Sequence, residues 1–270
     1  IKVRVDGARE MRLNEKGELE LKTELGIAKF SKPIAYQLED QKRIPVDYDV
    51  KGDIYAFRTG DYDRGKTLVI DPLLASTFIG GRNQVILSSI VVDGYGNVYV
   101  AGWTISVDFP TTPAAQDSTC GTDGNCNGVG TPPLVAYHSD GFISKLDNNL
   151  TTLLASTFLG GEDHDSIVSI ALDEFGNVYV TGTTTSDEFP ITPGAYRGAK
   201  PGGHDVFVSK LNNSLTSLLA STFLGGRDYD AASSVIVVPG EGRRGNVYVA
   251  GHTRSRDFPT TPSAYDRACG

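Results

Sequence analysis

The chain has 270 residues, 39% of them hydrophobic, with 31 glycines and 13 prolines, which is enough to bury one large β domain or two smaller ones in a turn-rich fold. No apolar run approaches the roughly 18 residues that a membrane-spanning helix requires, so none is expected. Of the formal net charge of -8, residues 1–72 contribute nothing, with 14 Lys or Arg against 14 Asp or Glu, and Leu73 to Gly270 contribute all of it; an acidic repeat region repels phosphate backbones, which speaks against a nucleic-acid partner.

In chain order, residues 1–72 show short alternating segments at Lys2–Val5, Glu18–Lys22 and Thr67–Ile70, separated by turn signals at Lys16-Gly17, Lys51-Gly52 and Arg64-Gly65. That pattern predicts a small all-β module. Asp71-Pro72 marks its end, because the residue before proline is driven out of helical conformations. Residues 73–270 repeat themselves. The segment LLASTF stands at Leu73–Phe78, returns at Leu153–Phe158 after 80 residues and again at Leu218–Phe223 after 65. Such self-similarity is the mark of a repeat architecture, with units starting near residues 73, 153 and 218.

Within a unit the hydrophobic period is two. Val168, Ile170 and Leu172 alternate with Ser169 and Ala171, and Asp-Glu-Phe-Gly-Asn then turns the chain into Val178-Tyr179-Val180, which predicts a hairpin. Gly96, Gly176 and Gly245 each precede an asparagine (Asn97, Asn177 and Asn246) and are expected to supply the positive φ of a tight reversal. A third strand is predicted at Phe142–Leu146 and Phe207–Leu211, and LLASTF supplies the fourth. Four short antiparallel strands per unit describe a propeller blade. The recurring Phe78, Phe158 and Phe223, and the Phe109, Phe189 and Phe258 that precede proline, are assigned to packing between blades. Counting from LLASTF gives one leading strand, two full blades and an incomplete third unit. The fold expected is therefore all-β, an incomplete propeller behind a β module, completed by continuation of the polypeptide or by neighbouring subunits.

The combination LLASTFLGG, D-x-x-GNVYV-x-G-x-T-x-S and DFPTTPxAY resembles the bacterial seven-bladed β-propeller, or SBBP, repeat. PIAYQ at Pro33–Gln37 and LVIDPLL at Leu68–Leu74 resemble the end of the β module that often precedes these repeats in secreted or surface proteins. The resemblance covers nearly the whole chain and implies the propeller fold, but not one shared chemistry. The third unit departs from it at Val238, which stands where the others have Asp93 and Asp173.

Few side chains point to a site. Cys120 and Cys126 are six apart in a Gly/Asn/Asp loop that can fold back to close a disulfide, which fits an extracytoplasmic compartment. Cys269 stands in a copy of the Cys120 context, so its partner is expected beyond Gly270. Asp163 with Asp165, and Asp228 with Asp230, are carboxylates one residue apart in loops and are candidate ligands for Ca²⁺. Trp103, whose counterparts are Thr183 and His252, is a variable position on a common scaffold and a candidate ligand contact. His138, His164, His204 and His252 form no recognisable nucleophilic constellation, and no catalytic residue is assigned.

The expected function is therefore that of a non-enzymatic structural or adhesive protein, extracellular or at the cell surface, whose partner is protein. A carbohydrate- or peptide-binding module using Trp103 and the 120–133 loop is the alternative. A polysaccharide hydrolase or lyase comes third, with acids paired only in three dimensions.

Overall fold

The structure is a computed structural model that describes residues 2–24, 26–71, 77–121, 126, 138–240 and 245–268. It divides into two compact units, Ile1–Phe78 with Asn148–Thr151, and Ile79–Asp147 with Thr152–Gly270.

The N-terminal unit is built from β1 (Lys2–Arg4), β2 (Glu10–Leu13), β3 (Leu19–Thr23), β4 (Gly26–Phe30), β5 (Ile34–Gln37), β6 (Arg43–Ile44), β7 (Val46–Lys51), β8 (Ile54–Thr59) and β9 (Leu68–Asp71). They form three antiparallel three-stranded sheets, in the orders β1-β8-β7, β2-β3-β4 and β6-β5-β9. Leu19 and Leu21, two residues apart and so on one face of β3, are buried with Tyr48 and Tyr55. Glu20 points the other way, where Arg12 and Lys29 hold its carboxylate at 2.9 and 3.4 Å.

The repeats follow in β10 (Val85–Val92), β11 (Val98–Thr104), β12 (Asp140–Leu146), β13 (Leu153–Leu159), β14 (Asp165–Leu172), β15 (Val178–Thr184), β16 (Asp205–Leu211), β17 (Leu218–Leu224), β18 (Asp230–Val238) and β19 (Asn246–Thr253). β10 to β13 make one four-stranded antiparallel sheet in sequence order, β14 to β17 a second, and β18 pairs with β19. This is an incomplete propeller of two full blades and a two-stranded third sheet. The first strands lie side by side, β14 between β10 and β18. Between the blades Ile143, Leu159, Ile167, Val180, Phe207 and Phe223 pack into one core.

LLASTF forms the outer strand in its second and third copies, β13 and β17. Residues 73–76 of the first copy lie outside the described residues. Phe78 corrects the expectation of a buried aromatic, being 103% exposed where Phe158 and Phe223 are 0%. Phe158 pairs across strands with Phe142, and Phe223 with Phe207; the sequence has no matching segment before Phe78 to provide such a partner. Phe109 and Phe189 are core, with ring centroids 4.3 Å from Phe142 and Phe207. Phe258 is half-buried, with no such ring stacked on it among the described residues.

The FPTTP segment explains why it recurs together with LLASTF. After β11 the chain crosses to the outer strand of its own blade, where Thr112 N–H donates to Ser156 O at 3.1 Å, Ser156 N–H to Thr112 Oγ1 at 3.0 Å and Phe158 N–H to Asp117 O at 3.0 Å. In the second blade Thr192 and Ser221 repeat the exchange, and Phe223 N–H donates to Arg197 O at 3.2 Å. The strap covers a strand edge that would otherwise present free backbone groups.

At the other end of the blades, five-residue hairpins run from Asp93 to Asn97 and from Asp173 to Asn177. Asp93 Oδ1 accepts the N–H groups of Tyr95 and Asn97, both at 2.9 Å, and its Oδ2 accepts Asn97 Nδ2 at 2.9 Å. Asp173 does the same for Phe175 and Asn177. Burial opposes the charge on Asp93, but these bonds and Lys145 outweigh it and hold its carboxyl below the usual range. Gly96 and Gly176 have φ of +84° and +76°, as the reversal demands. The third hairpin corrects the expectation of equivalence. Asn246 keeps the register of Asn97 and Asn177 but is a strand residue paired with Val238. Val238 offers no carboxylate to gather the N–H groups, seven residues rather than three separate it from Asn246, and the strand ladder runs one pair further than in the first two blades; residues 241–244 of the connection lie outside the described residues.

Candidate functional site

Because neighbouring strands alternate in direction, the first residues of β12, β14, β16 and β18 lie at one end of the blades. All four are aspartates, Asp140, Asp165, Asp205 and Asp230, and each is at most 1% exposed. Asp140 from the first blade meets Asp165 from the second, and Asp205 from the second meets Asp230 from the third, around Gly160 and Gly225 respectively.

Every one of these carboxylates has its Oδ2 bonded. Asp140 Oδ2 accepts Gly121 N–H at 2.9 Å, and Asp205 Oδ2 accepts Gly202 N–H at 2.8 Å. Asp165 Oδ2 accepts Gly161 N–H and the Ser186 hydroxyl, both at 2.7 Å. Asp230 Oδ2 accepts Gly226 N–H at 2.7 Å and the Ser255 hydroxyl at 2.8 Å. Among the described residues the four Oδ1 atoms are buried without a hydrogen-bond partner, while the Thr184 side chain also favours the charged form of Asp165.

The two glycines of the LGG motif answer to this arrangement. A Cβ on Gly160 would stand 2.6 Å from Asp140 Oδ1 and 2.9 Å from Asp165 Oδ2, and one on Gly161 would stand 2.6 Å from Ser186 Cβ. Gly225 and Gly226 are hemmed in likewise by Asp205 and Asp230 and by Ser255. The motif thus makes room for carboxylates and for the serines that fix them. Burial is the main cause that pushes Asp140 up to about 8, with the Asp165 charge adding to it. Burial also raises Asp165 and Asp205 to about 6.

Rings lie over the same end. Trp103, half-buried in β11, meets His164 edge-on at 6.0 Å, and Tyr229 lies between His204 and His252 at 5.1 and 5.7 Å. His164 Nδ1 bonds the Ser139 hydroxyl, and burial, with His204 and His138 nearby, lowers its pKa.

The candidate acids read from the sequence separate. Asp165 and Asp230 are buried in the junctions, whereas Asp163 and Asp228 are exposed, and Asp163 Oδ1 faces His138 Nδ1 at 3.6 Å. Cys120 and Cys126 are paired as a disulfide with Cα atoms 5.4 Å apart, both buried. The pair lies beside Asp140, within 4.8 Å, and fixes the loop whose Gly121 N–H bonds that carboxylate. Most of the 120–133 loop, and Cys269, lie outside the described residues. Asp140, Asp205, Ser186, Ser255 and the LGG glycines were not singled out from the sequence. The signal was there in DGFISKL and DVFVSKL, which share their first letter as well as their apolar pattern, and in the recurring T-x-S.

Repeated four-stranded sheets joined through equivalent motifs define a β-propeller repeat protein. Residues 76–110 and 151–190 match the Beta-propeller repeat family SBBP, and residues 1–73 match the Domain of unknown function DUF7948. The chain thus carries SBBP repeats behind a DUF7948 domain. A comparison with curated proteins finds no match.

Proposed function

We propose that this chain belongs to a non-enzymatic extracytoplasmic protein whose propeller repeats act as a rigid structural or adhesive unit at the cell surface or in an extracellular assembly. The observation that carries this reading is the buried Cys120–Cys126 disulfide, a bond that persists in oxidising compartments. The repeated polar side chains support it, since Asp93, Asp173, Thr112, Thr192, Ser186 and Ser255 are all engaged in holding hairpins, straps and junctions. The buried acid pairs are closed to a polysaccharide chain. Protease treatment of intact source cells, followed by immunoblotting, should degrade the protein or find it in the medium. Recovery intact with the cytosolic fraction alone would overturn the reading.

Protein is the partner this reading takes, through self-association or continuation of the polypeptide. Exposed apolar residues at both ends of the blade stack, Ile90 and Val92 on β10 and Val247 and Tyr248 on β19, support it. A second reading, a carbohydrate- or peptide-binding module, is favoured by the contact of Trp103 with His164 and the rings around Tyr229. Glycan-array binding that disappears in Trp103→Ala would select it.

A further inference from the structure

We propose that Asp140 with Asp165, and Asp205 with Asp230, form two equivalent sites for a hard divalent cation, Ca²⁺, one at each junction between consecutive sheets of the propeller. The argument begins with the oxygens. In all four carboxylates the Oδ2 is held by backbone N–H or serine hydroxyl groups, and in all four the Oδ1 is buried without a hydrogen-bond partner among the described residues. A buried carboxylate oxygen left unpaired is costly. Here the same atom is left over four times, in the same place, with its sister atom fixed so that it cannot turn away.

In each pair the free oxygen of one acid converges with the hydrogen-bonded oxygen of the other. Asp140 Oδ1 and Asp165 Oδ2 both lie within 3 Å of the point that a Gly160 Cβ would occupy, and Asp205 Oδ1 and Asp230 Oδ2 crowd the corresponding point at Gly225. No Lys or Arg forms an ion pair with any of the four among the described residues. The basic group nearest in kind, Lys200, is ion-paired with Asp187 and donates to the carbonyls of Thr185 and Gly203. The Lys200 and Arg197 charges act on Asp205 through space, and burial remains the larger influence on it; two adjacent buried carboxylates with no ion-pair partner resist ionising together, and a divalent cation would supply that charge.

The sequence carries an internal control. In the first blade the position of Asp165 and Asp230 is taken by Val85, and no segment like DGFISKL or DVFVSKL precedes it to provide the other acid. The acid is absent where its partner is absent, so it serves the junction rather than the strand that bears it.

The donors are carboxylate oxygens. This set suits Ca²⁺ or the smaller Mg²⁺ rather than a thiophilic metal. The sulfurs near Asp140 are joined to each other and are no zinc ligands.

The test uses the whole chain, stripped with EDTA, dialysed and titrated with CaCl₂ by calorimetry at pH 7.5, with native mass spectrometry for stoichiometry. The result expected is saturable binding of two ions per chain, one for each acid pair, and a Tm rise of about 5 °C or more at saturation. Asp205→Asn should leave one ion and Asp140→Asn should do the same, with circular dichroism checking each fold; either variant suffices if the other fails to fold. Asp163→Asn with Asp228→Asn should keep both ions. Absence of Ca²⁺ and Mg²⁺ binding at millimolar concentration overturns the proposal and leaves a shared proton as the content of each pair. Loss of both ions in the Asp163/Asp228 variant overturns it in favour of the exposed loop acids.

Discussion

Ser186 and Ser255 each hold two things at once. Ser255 Oγ accepts Asp228 N–H at 2.9 Å and donates to Asp230 Oδ2 at 2.8 Å, and Ser186 does the same for Asp163 and Asp165. Ser255→Ala should therefore destabilise the chain by about 2 kcal/mol, because it leaves a buried carboxylate oxygen with a single donor; urea denaturation measures it. Protonation at the junctions has its own signature. Asp140, Asp165 and Asp205 have folded pKa values above the ordinary 3.8, at about 8, 6 and 6. Their contribution is fully present below the unfolded pKa and is lost as pH rises through the folded values. In EDTA the chain should melt at a lower temperature at pH 8.5 than at pH 5, and Asp140→Asn should flatten that slope. Calorimetry across the range decides it. Asp165 and Asp230 were legible in the sequence, but their pairing with Asp140 and Asp205 was not, because each pair joins residues about 25 apart that belong to different blades. Strand periodicity marks which face a residue is on, not which neighbour it meets.

At the scale of elements, the same two letters behave differently by context. Asn177 bonds Asp173 through its backbone and its side chain, whereas Asn246 is exposed and paired within a strand. Asn177→Ala should cost about 1 kcal/mol, and Asn246→Ala should stay within about 0.5 kcal/mol of wild type, by the same denaturation measurement. Strands and hairpins were legible because alternation and Gly-Asn are local signals, and two of the three hairpins obey them. The third differs in two ways: the aspartate that gathers the turn's N–H groups has become Val238, and seven residues instead of three separate that position from Asn246. The strap from Thr112 to Asp117 was legible only as a recurring motif. Its partner lies some 40 residues further on, and hydrogen bonds between a loop and a strand leave no period in the sequence.

For the molecule as a whole, the consequence of two full blades and a two-stranded sheet is that apolar faces remain open. Ile90 is 66% and Tyr248 54% exposed, and exposed apolar surface of this kind promotes association. Sedimentation velocity should show association that grows with concentration, and Val247→Lys with Tyr248→Lys should weaken it. Sedimentation as a single monomeric species at all concentrations would count against self-association as the way the propeller is completed. The strap has a further consequence for how such a chain is made and how it changes. Thr112 and Asp117 precede β13 in the chain, and Thr192 and Arg197 precede β17. During synthesis from the N-terminus, each outer strand therefore leaves the ribosome after the segment that will cover it, so a nascent blade is sealed as it is finished. A duplicated repeat arrives with its own cover, and blades can be added to a gene or removed from it without baring a strand to the rest of the cell's proteins.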